Sequence, residues 1–257
     1  MLGRMAVSGT LESERRRQAL VELAESGAIV LIDEAAGRFE VSPMTIRRDL
    51  AELEASGRIR RVRGGAVAAP TPKPFLERRT LNVAAKRTIA RKALTLVPQR
   101  GTIALDASST ISLVASDLGQ RDGLTVFTNS VETFGLLVGV SGVWPLLSGG
   151  APEPATGSLV GPLAVQGARS LFFDLVLTSA DALDDTSGTS EVSLAEAQMK
   201  RAIVEQSSSC AVCVDSSKLG RRSVAAAIAS ERITTLVTEL DPADARLDPY
   251  RGAVEIV

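Results

Sequence analysis

The sequence of 257 residues predicts an α/β protein in two parts, a small winged helix-turn-helix domain followed by a larger domain built on a mostly parallel sheet. Three observations support this prediction. Residues 42–67 combine a capped amphipathic helix with an arginine-rich segment, prolines cluster near residue 70, and short apolar runs then alternate with helical stretches. We therefore expect domains at residues 1–68 and 81–257, joined by a proline-rich linker at residues 69–80.

The two helices at the start of the smaller domain are predicted from apolar spacing. The first, Glu14 to Ser26, should end at Gly27, and its apolar residues at helical intervals are Leu20, Val21, Leu23 and Ala24. Residues 33–39 predict a short second helix. Two short helices followed by a capped third helix are typical of a helix-turn-helix unit.

The third helix has recognisable start and stop signals. Ser42 offers a cap oxygen, Pro43 suits the first helical position and Gly57 is a stop signal, so we expect a helix from Pro43 to about Ser56. Its apolar stripe consists of Ile46, Leu50 and Leu53, whereas the residues that face away or lie on the flank are Met44, Thr45, Arg47, Arg48 and Ala51.

The outward face of this helix suits a DNA groove. Thr45 and Arg48 lie near the N-terminal end, where a recognition helix reaches base edges, and Arg47 is better placed for a phosphate. The alternative interpretation is that both arginines only solvate an amphipathic helix.

The segment Arg58 to Val67 alternates charged and apolar side chains as an exposed hairpin does. Its four arginines and the absence of acids make it a candidate phosphate clamp or minor-groove probe, and its paired glycines allow a tight turn and close backbone approach. The predicted DNA-binding residues are Ser42, Met44, Thr45, Arg47, Arg48, Arg58, Arg60, Arg61, Arg63, Gly64 and Gly65.

Charge is distributed unevenly along the chain. The net charge is −1, but residues 1–91 hold 17 Lys and Arg against 11 Asp and Glu, whereas residues 92–257 hold 12 against 19. The basic half is the half that carries the helix-turn-helix, which is the asymmetry expected when one domain binds a polyanion such as double-stranded DNA.

Membrane, secretory and metal-binding classes find little support in the sequence. No apolar run reaches the roughly 20 residues that span a bilayer, and the first ten residues lack the apolar core of a secretory signal, so we expect a cytoplasmic protein. Cys210 and Cys213 have C-x-x-C spacing but lie in an apolar strand, where positions i and i+3 point to opposite faces. Buried thiols are the favoured interpretation over redox or zinc chemistry, and no metal or cofactor is predicted.

The larger domain should begin after the linker, since residues 68–74 contain three prolines and no apolar periodicity and are expected to be extended. The strand candidates beyond it are Thr102 to Asp106, Leu124 to Thr128, Val143 to Leu147, Phe172 to Thr178, Cys210 to Asp215 and Thr234 to Thr238. Apolar strands alternating with helices indicate a mostly parallel sheet covered on both faces.

Polar residues follow four of these strands, and in such folds ligands bind beyond the carboxyl ends of the strands. The candidate effector-binding residues at these positions are Asp106, Ser108, Ser109 and Thr110, then Asn129, then Gly149 and Gly150, then Asp215 and Lys218. Hydroxyl groups, backbone N–H groups and a lysine suit a phosphate, so together they suggest a polyol phosphate pocket. The alternative for each alone is an ordinary cap or turn.

Residues 14–67 resemble the DNA-binding domain of the DeoR family of bacterial repressors, on the motifs Glu14-Arg15, Val41-Ser42, Thr45-Ile46-Arg47-Arg48-Asp49-Leu50, Leu53-Glu54, Gly57 and Gly64-Gly65-Ala66. The resemblance continues through Phe75, Glu77, Arg78 and residues 86–93 and covers nearly the whole chain. It implies an effector domain related in fold to ribose-phosphate isomerases and CoA transferases, which mostly senses phosphorylated sugars, and it adds Lys200 to the effector-binding residues. A solvated helix surface is the alternative for Lys200.

The chain departs from the family pattern at three places. Arg63 stands where the family usually has histidine, so a cation is retained without the pH dependence of an imidazole. Ser108 replaces a usual glycine, and its Cβ should crowd a phosphate on that loop. Residues 180–184 lack a glycine that the family commonly places after the fourth strand.

A ligand-controlled repressor of carbohydrate catabolism genes, released from its operator by a phosphorylated sugar, is the favoured function. The alternatives are a sugar-phosphate isomerase-like enzyme, for which no histidine or paired catalytic carboxylates stand out, and a regulator that has lost its ligand. We expect a homodimer or homotetramer, because one helix-turn-helix reads only a few base pairs and symmetry doubles the readout.

Overall fold

The structure is a computed structural model, which describes residues 3–25, 29–56, 58–68 and 73–257. The chain divides into two compact units, Met1–Thr71 and Pro72–Val257. No helix within the described ranges is long and apolar enough to cross a membrane.

The first unit has a winged helix-turn-helix architecture. Its elements are α1 (Gly3–Glu25), β1 (Val30–Leu31), α2 (Ile32–Arg38), α3 (Pro43–Ala55), β2 (Ile59–Val62) and β3 (Gly65–Ala68). The hairpin of β2 and β3 confirms the predicted wing, and β1 pairs antiparallel with β3 to make a third strand. The sequence analysis missed β1 because two residues are too few to show a period.

The helices of this unit match the predicted ones with one difference. The third helix is capped as expected, since the Thr45 amide donates to the Ser42 hydroxyl at 3.2 Å, and Ile46, Leu50 and Leu53 are buried. The first helix begins at Gly3, well before the predicted start at residue 14. The predicted stops at residues 27 and 57 lie outside the described residues.

The second unit contains helices α4 (Phe75–Thr80), α5 (Val83–Leu94), α6 (Ile111–Ser116), α7 (Val131–Leu137), α8 (Pro162–Arg169) and α9 (Leu194–Glu205). Its strands are β4 (Gly101–Leu105), β5 (Leu124–Thr128), β6 (Val143–Leu147), β7 (Ala151–Pro152), β8 (Leu159–Val160), β9 (Leu175–Thr178), β10 (Ala182–Asp184), β11 (Gly188–Glu191), β12 (Cys210–Cys213), β13 (Ala225–Ala226), β14 (Thr235–Val237) and β15 (Glu255–Ile256).

A seven-stranded sheet in the order β15-β14-β12-β9-β4-β5-β6 forms the centre of this unit, and all of its neighbouring strands are parallel. Six of its strands correspond to the six predicted strands, which confirms the mostly parallel sheet. The sequence analysis missed β15 and the small antiparallel sheets β10-β11-β13 and β7-β8, whose strands have only two to four residues. Because the central strands are parallel, their carboxyl ends share one edge.

Both faces of the central sheet are covered by helices. Residues of α8 and α9 pack on one face, and residues of α5, α6 and α7 pack on the other. Cys210 belongs to the first cluster and Cys213 to the second, and both thiols are free and buried, as predicted. Burial raises the pKa of Cys210 to about 12, so this thiol is unreactive at neutral pH.

The predicted linker at residues 69–80 is only partly described. Residues 69–72 lie outside the described residues. Its last six residues are not extended but form α4, which begins after Pro74 and buries Phe75. Proline is tolerated just before a helix. Burial of the Phe75 ring stabilises α4 within the second unit.

Candidate DNA-binding and effector sites

The outer face of α3 is exposed where the sequence analysis places DNA contacts. Met44 is 67% exposed and the side chain of Arg48 is 83% exposed, with a contact of 3.5 Å to Glu52 one turn later. Arg47 is exposed and has no ion pair or hydrogen bond within the described residues. A solvent-facing guanidinium group of this kind is free to bind a base edge or a phosphate.

Salt bridges fix α3 against α1. Arg16 binds the buried carboxylate of Asp49 at 2.6 Å, and Arg17 binds Glu52. Asp49 is 4% exposed although it is charged, so its position depends on Arg16. These contacts hold the recognition helix at a fixed orientation, which sequence-specific docking requires.

The four arginines of the wing differ in their surroundings. Arg61 is held by Glu54 of α3 at 2.6 Å, and its backbone and side-chain hydrogen bonds lower the pKa of that carboxyl group. Arg58 donates to Gln18. Arg60 and Arg63 are exposed and have no such partner among the described residues. They are therefore the wing arginines available to phosphates.

The two glycines of the wing have different roles. Gly64 lies in the turn and has a φ of +82°, which favours glycine. Gly65 is buried, and an added Cβ would clash with the Val30 carbonyl oxygen across the β1–β3 pair. Strand pairing therefore accounts for a glycine at position 65, and its contact with DNA stays a prediction.

At the carboxyl edge of the central sheet, Lys200 lies between two buried carboxylates. Its Nζ is 2.6 Å from Glu191 Oε1 and 3.2 Å from Asp106 Oδ2, and it donates to the Ser179 carbonyl at 2.6 Å. The Thr178 hydroxyl also donates to Asp106, at 2.7 Å. The Lys200 side chain is only 11% exposed, so the alternative of a solvated helix surface is wrong.

The protonation of this cluster follows from burial and charge. Burial opposes the charge of Lys200, but Glu191 and Asp106 outweigh it and raise the Lys200 pKa above its ordinary value, so the ammonium is retained. Burial raises the pKa of Glu191 to about 8 against the opposing effect of Lys200. The Lys200 ammonium favours the ionised carboxylate, so Glu191 is the acceptor in its contact with Lys200.

Two further cations lie beside the loop of residues 106–110. The Lys86 Nζ donates to the Ser109 hydroxyl at 3.0 Å and to the Arg78 carbonyl, and the Arg78 Nη2 donates to the Ala107 carbonyl at 3.4 Å. Burial lowers the pKa of Lys86 to about 8, with a smaller opposing effect of Asp215. This side of the site can therefore hold an anion.

A cavity of about 10 Å³ lies between these groups, and its lining residues are Arg78, Ala107, Asn129, Glu191, Glu196 and Lys200. The Asn129 amide donates to the Leu159 carbonyl at 3.1 Å, whereas its Oδ1 is buried and has no hydrogen-bond partner among the residues that the structure describes. Glu196 Oε1 accepts from the Ser158 hydroxyl at 2.7 Å. The lining therefore combines two cations, Arg78 and Lys200, with the carboxyl groups of Glu191 and Glu196.

The other predicted effector residues lie at varying distances from this cavity. The Ser108 hydroxyl accepts from the Ile111 amide at 3.1 Å, and Thr110 is buried at the start of α6. Asp215 accepts from Asn82 at 3.1 Å, and both Asp215 and Lys218 influence the charge of Lys86. These effects place Asp215 and Lys218 near Lys86, which contacts the loop of residues 106–110.

Gly149 and Gly150 do not line the cavity in the part of the chain that the structure describes. A Cβ at Gly150 would clash with the Val160 carbonyl oxygen and lie 2.9 Å from the Ala164 side chain. Packing against β8 and α8 accounts for a glycine at position 150, and its contact with a ligand stays a prediction.

The sequence analysis did not assign four residues of this site. Glu191 lies on the short strand β11 and Glu196 in the first turn of α9, so neither follows a strand of the predicted sheet. Glu196 precedes Lys200 by four residues, and this helical spacing was a usable signal. Arg78 and Lys86 come from α4 and α5, far away in sequence from the strand ends.

Comparison with known families decides what these two units are. Residues 16–71 match the DeoR-like helix-turn-helix domain, and residues 81–240 match the DeoR C terminal sensor domain. The chain belongs to the DeoR family. As a DeoR family member it is a transcriptional regulator that binds operator DNA through its N-terminal unit.

Relatives of similar length support this assignment. The regulator GolR of Listeria innocua is 30% identical over 87% of this chain and 89% of its own. The glycerol-3-phosphate regulon repressor of Escherichia coli K12 is 27% identical over 90% of this chain and 93% of its own. The lactose phosphotransferase system repressor of Lactococcus lactis is 31% identical over 69% of this chain and 72% of its own.

Solved structures show more distant likeness. The tetrameric eIF2B-beta2-delta2 complex from C. thermophilum is 13% identical, with a TM-score of 0.51 over 93% of this chain and 86% of that one. Ribose 5-phosphate isomerase A from Methanocaldococcus jannaschii is 19% identical, with a TM-score of 0.37 over 52% of each chain. The first likeness shows a shared fold and nothing further.

Proposed function

We propose that this DeoR family regulator is a repressor whose C-terminal unit binds a small phosphorylated sugar or polyol at the sheet edge, and that the ligand releases operator DNA. One observation carries the proposal: the cavity lining contains the cation Arg78, with Lys86 beside it, together with the carboxyl groups of Glu191 and Glu196. A phosphate binds cations, and sugar hydroxyls donate to carboxyl oxygens.

The names of the relatives support this ligand class. One represses a glycerol-3-phosphate regulon, and another represses a lactose phosphotransferase system. A ligand with one phosphate and several hydroxyl groups suits a site that combines cations with carboxyl groups in this way.

On DNA, Thr45 and Arg48 are proposed to contact base edges, while Arg47, Arg60 and Arg63 bind phosphates. The exposure of these arginines supports the assignment. The Ser42 hydroxyl caps α3. It can contact the DNA backbone only at the N-terminal end of that helix. Arg58 and Arg61 contribute less, because Gln18 and Glu54 already hold them.

Two copies or more are proposed to bind symmetric half-sites, because a single recognition helix reads only a few base pairs. Analytical ultracentrifugation of the purified chain tests this point. A monomer at concentrations where operator DNA is saturated would contradict it.

The function is tested by fluorescence anisotropy of the chain on DNA from upstream of its own gene. The titrants are inorganic phosphate, glycerol 3-phosphate, ribose 5-phosphate and galactose 6-phosphate, each beside its unphosphorylated counterpart where one exists. Release by one phosphorylated compound alone is the expected result. Release by unphosphorylated sugars would contradict the phosphate assignment.

A regulator that has lost its ligand is the second candidate, and the Ser108 hydroxyl favours it. This hydroxyl occupies the Ile111 amide, which a glycine at position 108 would leave free for a ligand. Tight, sequence-specific DNA binding that no compound alters is its expected signature. An isomerase-like enzyme would instead convert ribose 5-phosphate, whereas a sensor binds its ligand saturably without turnover.

A further inference from the structure

The cavity at the sheet edge is too small for the ligand class proposed above, on which this inference rests. Its volume of about 10 Å³ holds about one water molecule. Pockets for small organic ligands typically enclose about 300–1,000 Å³. A phosphorylated sugar therefore enters only when an element that lines the cavity moves.

Of the lining elements, α4 is a short helix with one buried residue. Asn129 follows a central strand, and Glu191 and Lys200 are tied together by a buried ion pair. Helix α4 has six residues, and Phe75 is its buried one. Asn82, two residues beyond its end, has a left-handed φ of +50°. Short segments with few buried apolar contacts open at the lowest cost.

Few polar contacts hold α4 over the cavity. Arg78 Nη2 reaches the Ala107 carbonyl at a long 3.4 Å, and the buried Arg78 Nε has no partner within the described residues. Lys86 joins the Arg78 carbonyl to the Ser109 hydroxyl. An anion beside Ser109 offers these donors a stronger acceptor than a carbonyl oxygen does.

We propose that Arg78 binds the anionic group of the ligand and that α4 is a latch which ligand binding displaces. Residues 69–72 connect β3 of the DNA-binding unit directly to the segment that enters α4. When Lys86 and Arg78 turn from the backbone to an anion, the polar contacts that hold α4 in its present position are lost, and α4 shifts outward far enough to admit the ligand while Arg78 keeps its contact with the anion. This displacement changes the tether of the DNA-binding unit and thereby couples the two sites.

The test compares Arg78→Gln with Arg79→Gln in the full chain. Arg79 is the matched control, because it lies on the same helix and is exposed without a hydrogen bond or ion pair in the described part of the chain. Operator affinity is measured by anisotropy with and without a saturating amount of the panel phosphate that releases the wild-type protein.

In the wild-type protein and in Arg79→Gln, the phosphate should weaken operator binding by about 5- to 150-fold. In Arg78→Gln, the phosphate should bind about tenfold more weakly, and at saturation operator affinity should change by less than about twofold. Hydrogen exchange of wild-type residues 75–81 should also become faster with inorganic phosphate than with chloride at equal ionic strength.

Three results would overturn the latch, and they are distinguishable. Full release of Arg78→Gln at saturation, despite weaker phosphate binding, makes Arg78 a ligand contact that does not couple the sites. Unchanged exchange at residues 75–81 in a wild-type protein that does release DNA shows that α4 stays in place. A wild-type protein that no phosphorylated compound affects refutes the proposed function itself, and the latch with it.

Discussion

Replacing Lys200 by methionine should destabilise the C-terminal unit by an amount that grows with pH. Lys200 is the counterion of Asp106 and Glu191, whose side chains are 2% and 4% exposed. Removing one partner of a buried ion pair costs about 3–5 kcal/mol. That cost applies above pH 8, where Glu191 is ionised. Burial raises the Glu191 pKa and Lys200 opposes that rise, so without Lys200 the Glu191 carboxyl group is protonated near about pH 6 and Asp106 alone is left without its counterion. The loss at that pH should be smaller than above pH 8.

The assay is urea unfolding followed by the fluorescence of Trp144, the only tryptophan of the chain, which lies in the C-terminal unit. Lys218→Met is the matched control, because the half-buried Lys218 has no side-chain ion pair in the described ranges, and it should change stability by about 0.5 kcal/mol or less. Adding Glu191→Gln to Lys200→Met should recover part of the loss at high pH. Equal urea midpoints for Lys200→Met and Lys218→Met, both near about pH 6 and above pH 8, would refute the role of Lys200 as a buried counterion.

The other predictions concern DNA, the wing and the effector site. Arg48→Ala should cost about 1–3 kcal/mol of sequence discrimination, read from binding to operator and mutated operator. Arg60→Ala should weaken all DNA sequences alike and reduce the slope of log affinity against log salt by about 0.9; an unchanged slope would exclude a phosphate contact. Gly65→Ala should lower the free energy of unfolding by about 1–3 kcal/mol, because its Cβ meets the backbone of Val30, and a thermal melt equal to the wild-type one would contradict this. Phosphate binding, measured by calorimetry, should weaken as pH rises through about 8, where Lys86 loses its proton, and Lys86→Met should remove that pH dependence.

Local sequence signals were sufficient to predict the secondary structure of the N-terminal unit. The cap at Ser42, the apolar stripe of α3 and the alternation of the wing are properties of neighbouring residues, so the helix and hairpin could be predicted with nearly correct boundaries. Local signals did not show which of the four wing arginines have partners within the protein. Whether an arginine is free depends on partners such as Glu54 and Gln18, which the fold brings together.

For the C-terminal unit, the strands and their polar ends could be predicted, because continuous apolar runs indicate a buried parallel sheet. Which residues form the site could not be predicted. Glu191 comes from a small antiparallel sheet, and Lys86 and Arg78 come from helices that precede the first central strand. No local spacing relates these residues, since their proximity results from the crossover connections.

The sequence by itself determined the two-part architecture, the recognition helix, the wing and the edge of the sheet at which polar residues gather, because each follows from short-range periodicity, caps and apolar runs. Only the tertiary structure decided which charges are paired and which are available. In the folded chain Lys200 is buried between two carboxylates, Gly65 packs against the Val30 backbone of the neighbouring strand, and Arg78 lines the cavity. The physical reason is that burial and ion pairing depend on contacts between residues far apart in the chain, which no local pattern encodes.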